Sequence, residues 1–241
     1  MIEIQGLTVK YRKKTVLENI NLKLEAENYG ILGPNGSGKT TLFRALTGGV
    51  KVKSGRVMGE KIPLMIGYLP QKFGCMQELS VWEQMQYFSY LKGIKPKNEE
   101  KEIIYALRQV GMEKYAKQKC KKLSGGMIRR IGIAQAILGQ TDMILLDEPT
   151  AGLDIEERSR FYQIMNNIHG KCPLLIASHI AEDVSATCKN TIIIREGRII
   201  FSGQTNQVAN IVKNKENTTL TDGYLEYLQK SSSDIESEEK Q

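Results

Sequence analysis

The stretch Gly33-Pro34-Asn35-Gly36-Ser37-Gly38-Lys39-Thr40 constrains this chain more than any other. It meets the pattern G-x-x-x-x-G-K-[ST] at every position. Tyr29-Gly30-Ile31-Leu32 ahead of it can close a short buried strand. Thr41-Leu42-Phe43-Arg44-Ala45-Leu46 behind it can continue a helix that Gly48-Gly49 would end. Strand, glycine loop and helix thus follow in the order that an anion cradle needs. Glycines let successive backbone N–H groups turn inward, and the helix N-terminus adds partial positive charge. Lys39 is placed to reach the β- and γ-phosphates of a nucleotide, and the Thr40 hydroxyl to hold magnesium.

Composition limits the setting of such a loop. At 41% apolar and 25% charged residues the chain reads as ordinary globular material. No apolar run approaches the roughly 18–20 residues that span a bilayer, which predicts a soluble chain. Met1-Ile2-Glu3-Ile4 has no basic-then-apolar pattern, so no signal peptide is expected. Cys75, Cys120, Cys172 and Cys188 are scattered without a C-x-x-C pair, which suits free thiols in a reducing compartment. His169 and His179 are the two histidines, too few for an expected zinc site. The net charge of +7 is uneven. The tail from Ser231 is acidic and is expected to be disordered, whereas Lys10, Arg12, Lys13 and Lys14 form one basic cluster and Lys114, Lys117, Lys119, Lys121 and Lys122 another. Such clusters serve either as solvated surface or as contacts to anions.

Periodicity predicts an α/β chain: a P-loop core with a mostly parallel sheet, an N-terminal antiparallel β subdomain and an α-helical subdomain over about residues 72–140. Residues 2–11 and 16–24 alternate apolar with polar and read as two strands. Ile66 to Leu69 is a short strand stopped by Pro70. Ser80-Val81-Trp82-Glu83 is a capping box, followed by Val81, Met85 and Phe88 at helical spacing. Ile103, Leu107 and Val110 mark a second helix, and Met127, Ile131, Ala134 and Leu138 a third that starts at Ser124. Met143-Ile144-Leu145-Leu146 and Leu174-Leu175-Ile176-Ala177 are continuous apolar runs, as expected of parallel strands buried on both faces. A helix is expected over Ile155 to Ile168, and a hairpin around Glu196-Gly197. One folded unit is expected over residues 1–230, with 231–241 as the tail.

Two further motifs sharpen the chemistry. The run Met143 to Leu146 leads directly into Asp147-Glu148, which puts two carboxylates at the C-terminal end of a strand, where ligands of α/β sheets bind. Asp147 suits magnesium, and Glu148 suits a base that polarises an attacking water. Leu123-Ser124-Gly125-Gly126-Met127 offers a second, glycine-rich helix terminus for an anion. One glycine loop does not need two phosphate clamps in one place, so the economical reading is that two copies meet head to tail, each clamp closing over the other's nucleotide.

With these motifs in this order, residues 1 to about 207 resemble the ATP-binding subunits of ABC (ATP-binding cassette) transporters. The resemblance implies ATP and Mg2+ as cofactors, held by Gly33 to Thr40 and the adjoining Thr41. It implies Gln71 as the glutamine that meets magnesium and the membrane subunit. Leu123, Ser124, Gly125, Gly126 and Met127 are similar to the signature motif, with Ser124 and Gly126 facing the opposite γ-phosphate. Asp147 matches the magnesium acid, Glu148 the catalytic base, Ala151-Gly152-Leu153-Asp154 the D-loop and His179 the switch histidine. Tyr11 stands where the family stacks an aromatic ring on adenine. Met127 departs from the glutamine often found at the fifth signature position. Together with the compact length and Glu78 to Glu83, that gives a slight leaning toward exporter-type cassettes.

The implied partners are a multi-span membrane permease and a second ATP-binding subunit, like or unlike this one, on the cytoplasmic face of the cell membrane, with no nucleic acid expected. A soluble ABC-class ATPase acting on the ribosome or nucleic acid is the alternative, but the chain shows one cassette and no sustained heptads between Lys39 and Ser124. A small-molecule kinase would leave Ser124 to Met127 and His179 unexplained. For the permease contact the reading points to an apolar groove at Phe73 and Trp82, with Trp82 and Tyr90 off the inward stripe of their helix.

Overall fold

A computed structural model describes residues 1–168, 170–212 and 218–229. The acidic tail expected from Ser231 lies outside these residues. In chain order the elements are β1 (Ile2–Tyr11), β2 (Lys14–Leu24), β3 (Asn28–Leu32), α1 (Lys39–Leu46), β4 (Val52–Met58), β5 (Ile66–Leu69), α2 (Val81–Leu91), α3 (Pro96–Gln109), α4 (Gly125–Ile137), β6 (Met143–Asp147), α5 (Ile155–Ile168), β7 (Leu174–Ser178), α6 (Ala181–Thr187), β8 (Asn190–Arg195), β9 (Arg198–Gln204), α7 (Thr205–Ala209) and α8 (Leu220–Gln229).

The strands form two sheets. The smaller is antiparallel, in the order β2-β1-β4, and the larger runs β5-β6-β7-β3-β8-β9. From β5 to β8 neighbouring strands are parallel, and β9 closes the edge antiparallel through the expected hairpin. Its turn uses Glu196 and Gly197, both at positive φ (50° and 79°), the left-handed pair that tight hairpins favour. The apolar runs at β6 and β7 are buried throughout. Alternate residues serve two cores. Ile31, Leu145, Leu175 and Ile192 face α1 and the small sheet. Leu32, Leu146, Ile176 and Ile193 face the helices of the other side. A strand buried on both faces has no polar side to offer, hence the continuous apolar reading.

α2, α3 and α4 form the helical subdomain. Ser80 and Glu83 make the expected capping box, with Ser80 Oγ accepting from the Glu83 N–H at 3.2 Å and Glu83 Oε2 from the Ser80 N–H at 2.6 Å. α4 lies hard against the sheet edge: a β-carbon on Gly67 would come within 2.0 Å of the Ala136 carbonyl oxygen, and one on Gly132 within 2.9 Å of the Phe73 ring.

The structure departs from the sequence reading in three places. β4 was not expected, because Val52-Lys53-Ser54-Gly55-Arg56-Val57-Met58 has weak alternation. It forms because its backbone lies against β1, so close that a β-carbon on Gly55 would meet the Gly6 carbonyl at 2.5 Å. α6, α7 and α8 also lacked a strong signal, being short or polar. Phe73 was expected in an exposed groove, but its ring turns inward over Gly132 and packs on the core, since α4 has no side chain there to exclude it.

Candidate functional site

β3 sits between β7 and β8, so the loop after it emerges at the C-terminal edge of a parallel sheet, beside the ends of β6 and β7. This brings residues 33–40, 147–148 and 178–179 together. Gly36 and Gly38 take positive φ (82° and 115°), which turns the loop. The Ser37 carbonyl accepts from the Gly197 N–H at 3.0 Å, so the β8–β9 hairpin braces the loop from behind. Lys39 is buried beneath it. Its ammonium donates to the Gly33 carbonyl at 2.6 Å and the Pro34 carbonyl at 3.3 Å, and lies 3.9 Å from Glu148 Oε1. Burial pushes the lysine pKa down, and the charges of Glu148 and Asp147 oppose that.

Glu148 is buried at positive φ (49°), so the backbone swings its carboxylate back over the loop. Its Oε2 is 2.7 Å from His179 Nδ1. An ionised carboxylate can only accept, so this contact puts the ring proton on Nδ1. Asp147 beside it is fully buried, and neither of its carboxylate oxygens has a hydrogen-bond partner of good geometry. Burial raises its pKa, while the nearby Thr40 hydroxyl draws it down and the Glu148 charge raises it further. A buried carboxyl without a well-formed hydrogen bond, beside the Thr40 hydroxyl, suits a hard cation with oxygen ligands. No group of three or more His, Cys, Asp or Glu among the described residues could hold a metal, so such a cation would need phosphate oxygens as well.

A cleft of about 510 Å³ opens above these groups, lined by Tyr11, Val16, Asn35, Gly36, Gly38, Lys39, Thr40, Thr41, Gln71 and Glu148. Tyr11 stands on its rim, 42% exposed. Pro34 joins β3 to this lining, and Ser37 is buried beneath it. Ser124 and the signature glycines are not in the cleft. Ser124 caps α4, accepting from the Met127 N–H at 3.2 Å, and it is exposed beside Gly125. Met127 is half-buried against the core of the helical subdomain. Asp154 caps α5 through the Glu157 N–H at 2.8 Å.

Residues 17–151, more than half the chain, match the family model described as ABC transporter. The chain belongs to the ABC transporter ATP-binding family. It is 35% identical over 199 residues to the zinc import ATP-binding protein ZnuC of Haemophilus influenzae, covering 81% of this chain and 72% of that one. It is 30% identical over 214 residues to the linearmycin resistance ATP-binding protein LnrL of Bacillus subtilis, with 84% and 69% covered. Among solved structures, cbiO1 from Clostridium perfringens, described as part of the ABC transporter complex cbiONQ, superposes with a TM-score of 0.73 at 26% identity, covering 86% of this chain and 89% of that one. The fold is shared with the dimeric cassette MJ0796, at a TM-score of 0.72 and 24% identity, with 85% and 98% covered. This cassette is therefore an ATP-binding, ATP-hydrolysing subunit of a transporter. Among the described residues no helix is long and apolar enough to cross a membrane.

Two residues that the sequence reading passed over belong to the site's framework. The Arg129 guanidinium donates to five backbone carbonyls around it. Asp183 is fully buried and accepts from the hydroxyls of Thr150, Tyr162 and Ser178, which ties α6 to the loop after β6, to α5 and to the end of β7. An arginine beside a second arginine and an aspartate on a short helix gave no pattern to single them out. The second basic cluster is partly neutralised: Lys119 pairs with Glu83 at 3.3 Å and Lys121 with Glu78 at 3.1 Å. The four cysteines are free.

Proposed function

We propose that the chain hydrolyses MgATP with Glu148 as general base, in a head-to-tail pair of cassettes, and passes the resulting motion to a separate multi-span permease at the cytoplasmic face of the cell membrane. The placement of the Glu148 carboxylate carries this reading: it faces the phosphate loop, with Lys39 on one oxygen and His179 Nδ1 on the other. In that position Glu148 takes the proton of a water attacking the γ-phosphate, Lys39 neutralises phosphate charge, and His179 holds the carboxylate in aim. Asp147, Thr40 and Gln71 would hold magnesium, which supplies charge neutralisation at the phosphate oxygens. Tyr11 on the rim suits the adenine ring. Exposure of Ser124 and Gly125 away from the cleft supports a clamp for the ATP of a second subunit, like or unlike this one, with Asp154 at the same junction. The single cassette occupies residues 1–230. Met127 and the segment Glu78 to Glu83 support an exporter type, although the relatives include both an import protein and a resistance protein.

Trp82 supports a permease contact. It lines a cleft of about 720 Å³ with Ser80, Glu83, Gln86, Ala116, Lys117 and Lys119, and it is partly buried against the core. Phe73 is no part of this cleft. The experiment has two arms. Glu148→Gln should bind MgATP and dimerise with it, yet hydrolyse it at least about a hundredfold more slowly. Trp82→Glu should keep ATPase activity and lose co-purification with the permease. Wild-type turnover in the first variant removes Glu148 as base, and retained co-purification in the second removes the cleft as docking site.

A further inference from the structure

We infer that Arg129 is a positioning residue that carries movement of the signature helix to the catalytic carboxylate. Arg129 sits in α4, whose N-terminus bears Ser124. Its side chain is buried, 9% exposed, and reaches under the site. Nε donates to the Pro149 carbonyl at 2.9 Å. Nη1 donates to the carbonyls of Pro70 at 3.2 Å and Gln71 at 3.0 Å. Nη2 donates to the Asp147 carbonyl at 3.1 Å and to that of Glu148. One planar fork therefore joins three separate segments: the signature helix, the Gln71 loop and the exit from β6.

The physical cost of this arrangement argues against simple packing. A guanidinium buried among five backbone carbonyls, paired with no carboxylate among the described residues, gives up hydration for neutral acceptors only. Burial pulls its pKa down, and Asp147 and Glu148 act on it only at a distance. A hydrophobic side chain would fill the same space without that loss. What the fork adds is geometry. Glu148 holds a left-handed backbone, φ 49°, which persists only where its surroundings over-determine it. The carbonyls of Asp147, Glu148 and Pro149 are all gripped by the one group, and that grip points the Glu148 side chain at the loop. α4 is a stiff rod, so a pull on Ser124 from a nucleotide on the second subunit moves Arg129, and with it the peptide units of Gln71 and Glu148. A lysine offers a point charge without the fork and cannot hold both segments at once.

The inference rests on Glu148 being the base, so Glu148→Gln is measured alongside. In the full chain with its permease, Arg129→Lys should lower kcat at least about tenfold, the scale expected of a misplaced reacting group. Its binding of a fluorescent ATP analogue should stay within about twofold, as should ATP-driven pairing in a Glu148→Gln background, because neither depends on aiming the carboxylate. In Arg129→Ala, millimolar guanidinium should restore part of kcat while the same concentration of sodium chloride does not. Wild-type kcat in Arg129→Lys overturns the inference. So does a parallel fall of kcat, nucleotide binding and melting temperature in both variants without guanidinium rescue, which would make Arg129 a packing staple. Full turnover in Glu148→Gln removes the base and this inference with it, whereas a slow Glu148→Gln beside a wild-type Arg129→Lys overturns the inference alone.

Discussion

Gly38 shows how little freedom the phosphate loop has. Its φ of 115° lies where side chains are strained, and a β-carbon there would come within 2.6 Å of Leu17 Cδ2. Gly38 also precedes α1 directly, so any shift at this residue tilts the N–H groups that open the helix. Gly38→Ala is expected to cost about 1–3 kcal/mol in backbone strain, concentrated in the loop. Equilibrium binding of ATP should weaken well before thermal unfolding does. Unchanged ATP affinity in a folded Gly38→Ala protein would show that the loop adjusts without its glycine. The same scale explains why Lys39 is legible in sequence and Arg129 is not. Lys39 is announced by glycines at fixed spacing, whereas Arg129 and Arg130 differ only in which face of α4 they occupy. Arg129 looks into the sheet, and Arg130 pairs with Glu157 at 3.4 Å.

Among the elements, α2 carries a charge that can be titrated. Glu83 completes its capping box, and its carboxyl is held down from 4.5 to about 2, first by the Ser80 N–H, then by the Ser80 hydroxyl and Lys119. A carboxyl lowered in the folded state stabilises the fold fully above its unfolded value, near 4.5, and that stabilisation is lost as pH falls toward 2. Denaturant titrations should therefore show Glu83→Ala less stable than wild type at pH 7, with the gap narrowing at pH 3. A gap of equal size at both pH values would mean that the ionised cap contributes nothing and that only packing was lost. The element matters because Trp82 sits in the first turn of α2, and fraying there would loosen one wall of the cleft proposed for the permease.

For the whole molecule, the parallel sheet and helical subdomain were readable because their signals are local. Continuous apolar runs at Met143 to Leu146 and Leu174 to Ala177 mean strands buried on both faces, and Ser80 and Ser124 announce the helices they cap. The assembly of Lys39, Asp147, Glu148 and His179 was readable because each ends or follows a strand at the same edge. β4 was not, since it depends on Gly6 and Gly55 lying back to back, a contact between distant segments that leaves no periodic trace. The inward turn of Phe73 had the same origin: its partner is the absent side chain of Gly132. The network on Asp183 likewise draws Thr150, Tyr162 and Ser178 from three separate elements.

The position of β3 also sets an order of events during synthesis. The strand that leads into the phosphate loop is flanked in its sheet by β7 and β8, and the loop itself is braced by Gly197. A ribosome that has released the first 168 residues has delivered every glycine of the loop, and none of the strands that flank β3. Nucleotide binding should thus be gained late and abruptly as the chain lengthens, since contacts across such separations form only when their far partners exist. Stalled chains tethered through a long linker after residue 168 should fail to retain a fluorescent ATP analogue, and those tethered after residue 212 should retain it. Retention by the shorter chains would mean that β3 and its loop reach their working shape without the sheet, and that the hairpin only locks a geometry already made.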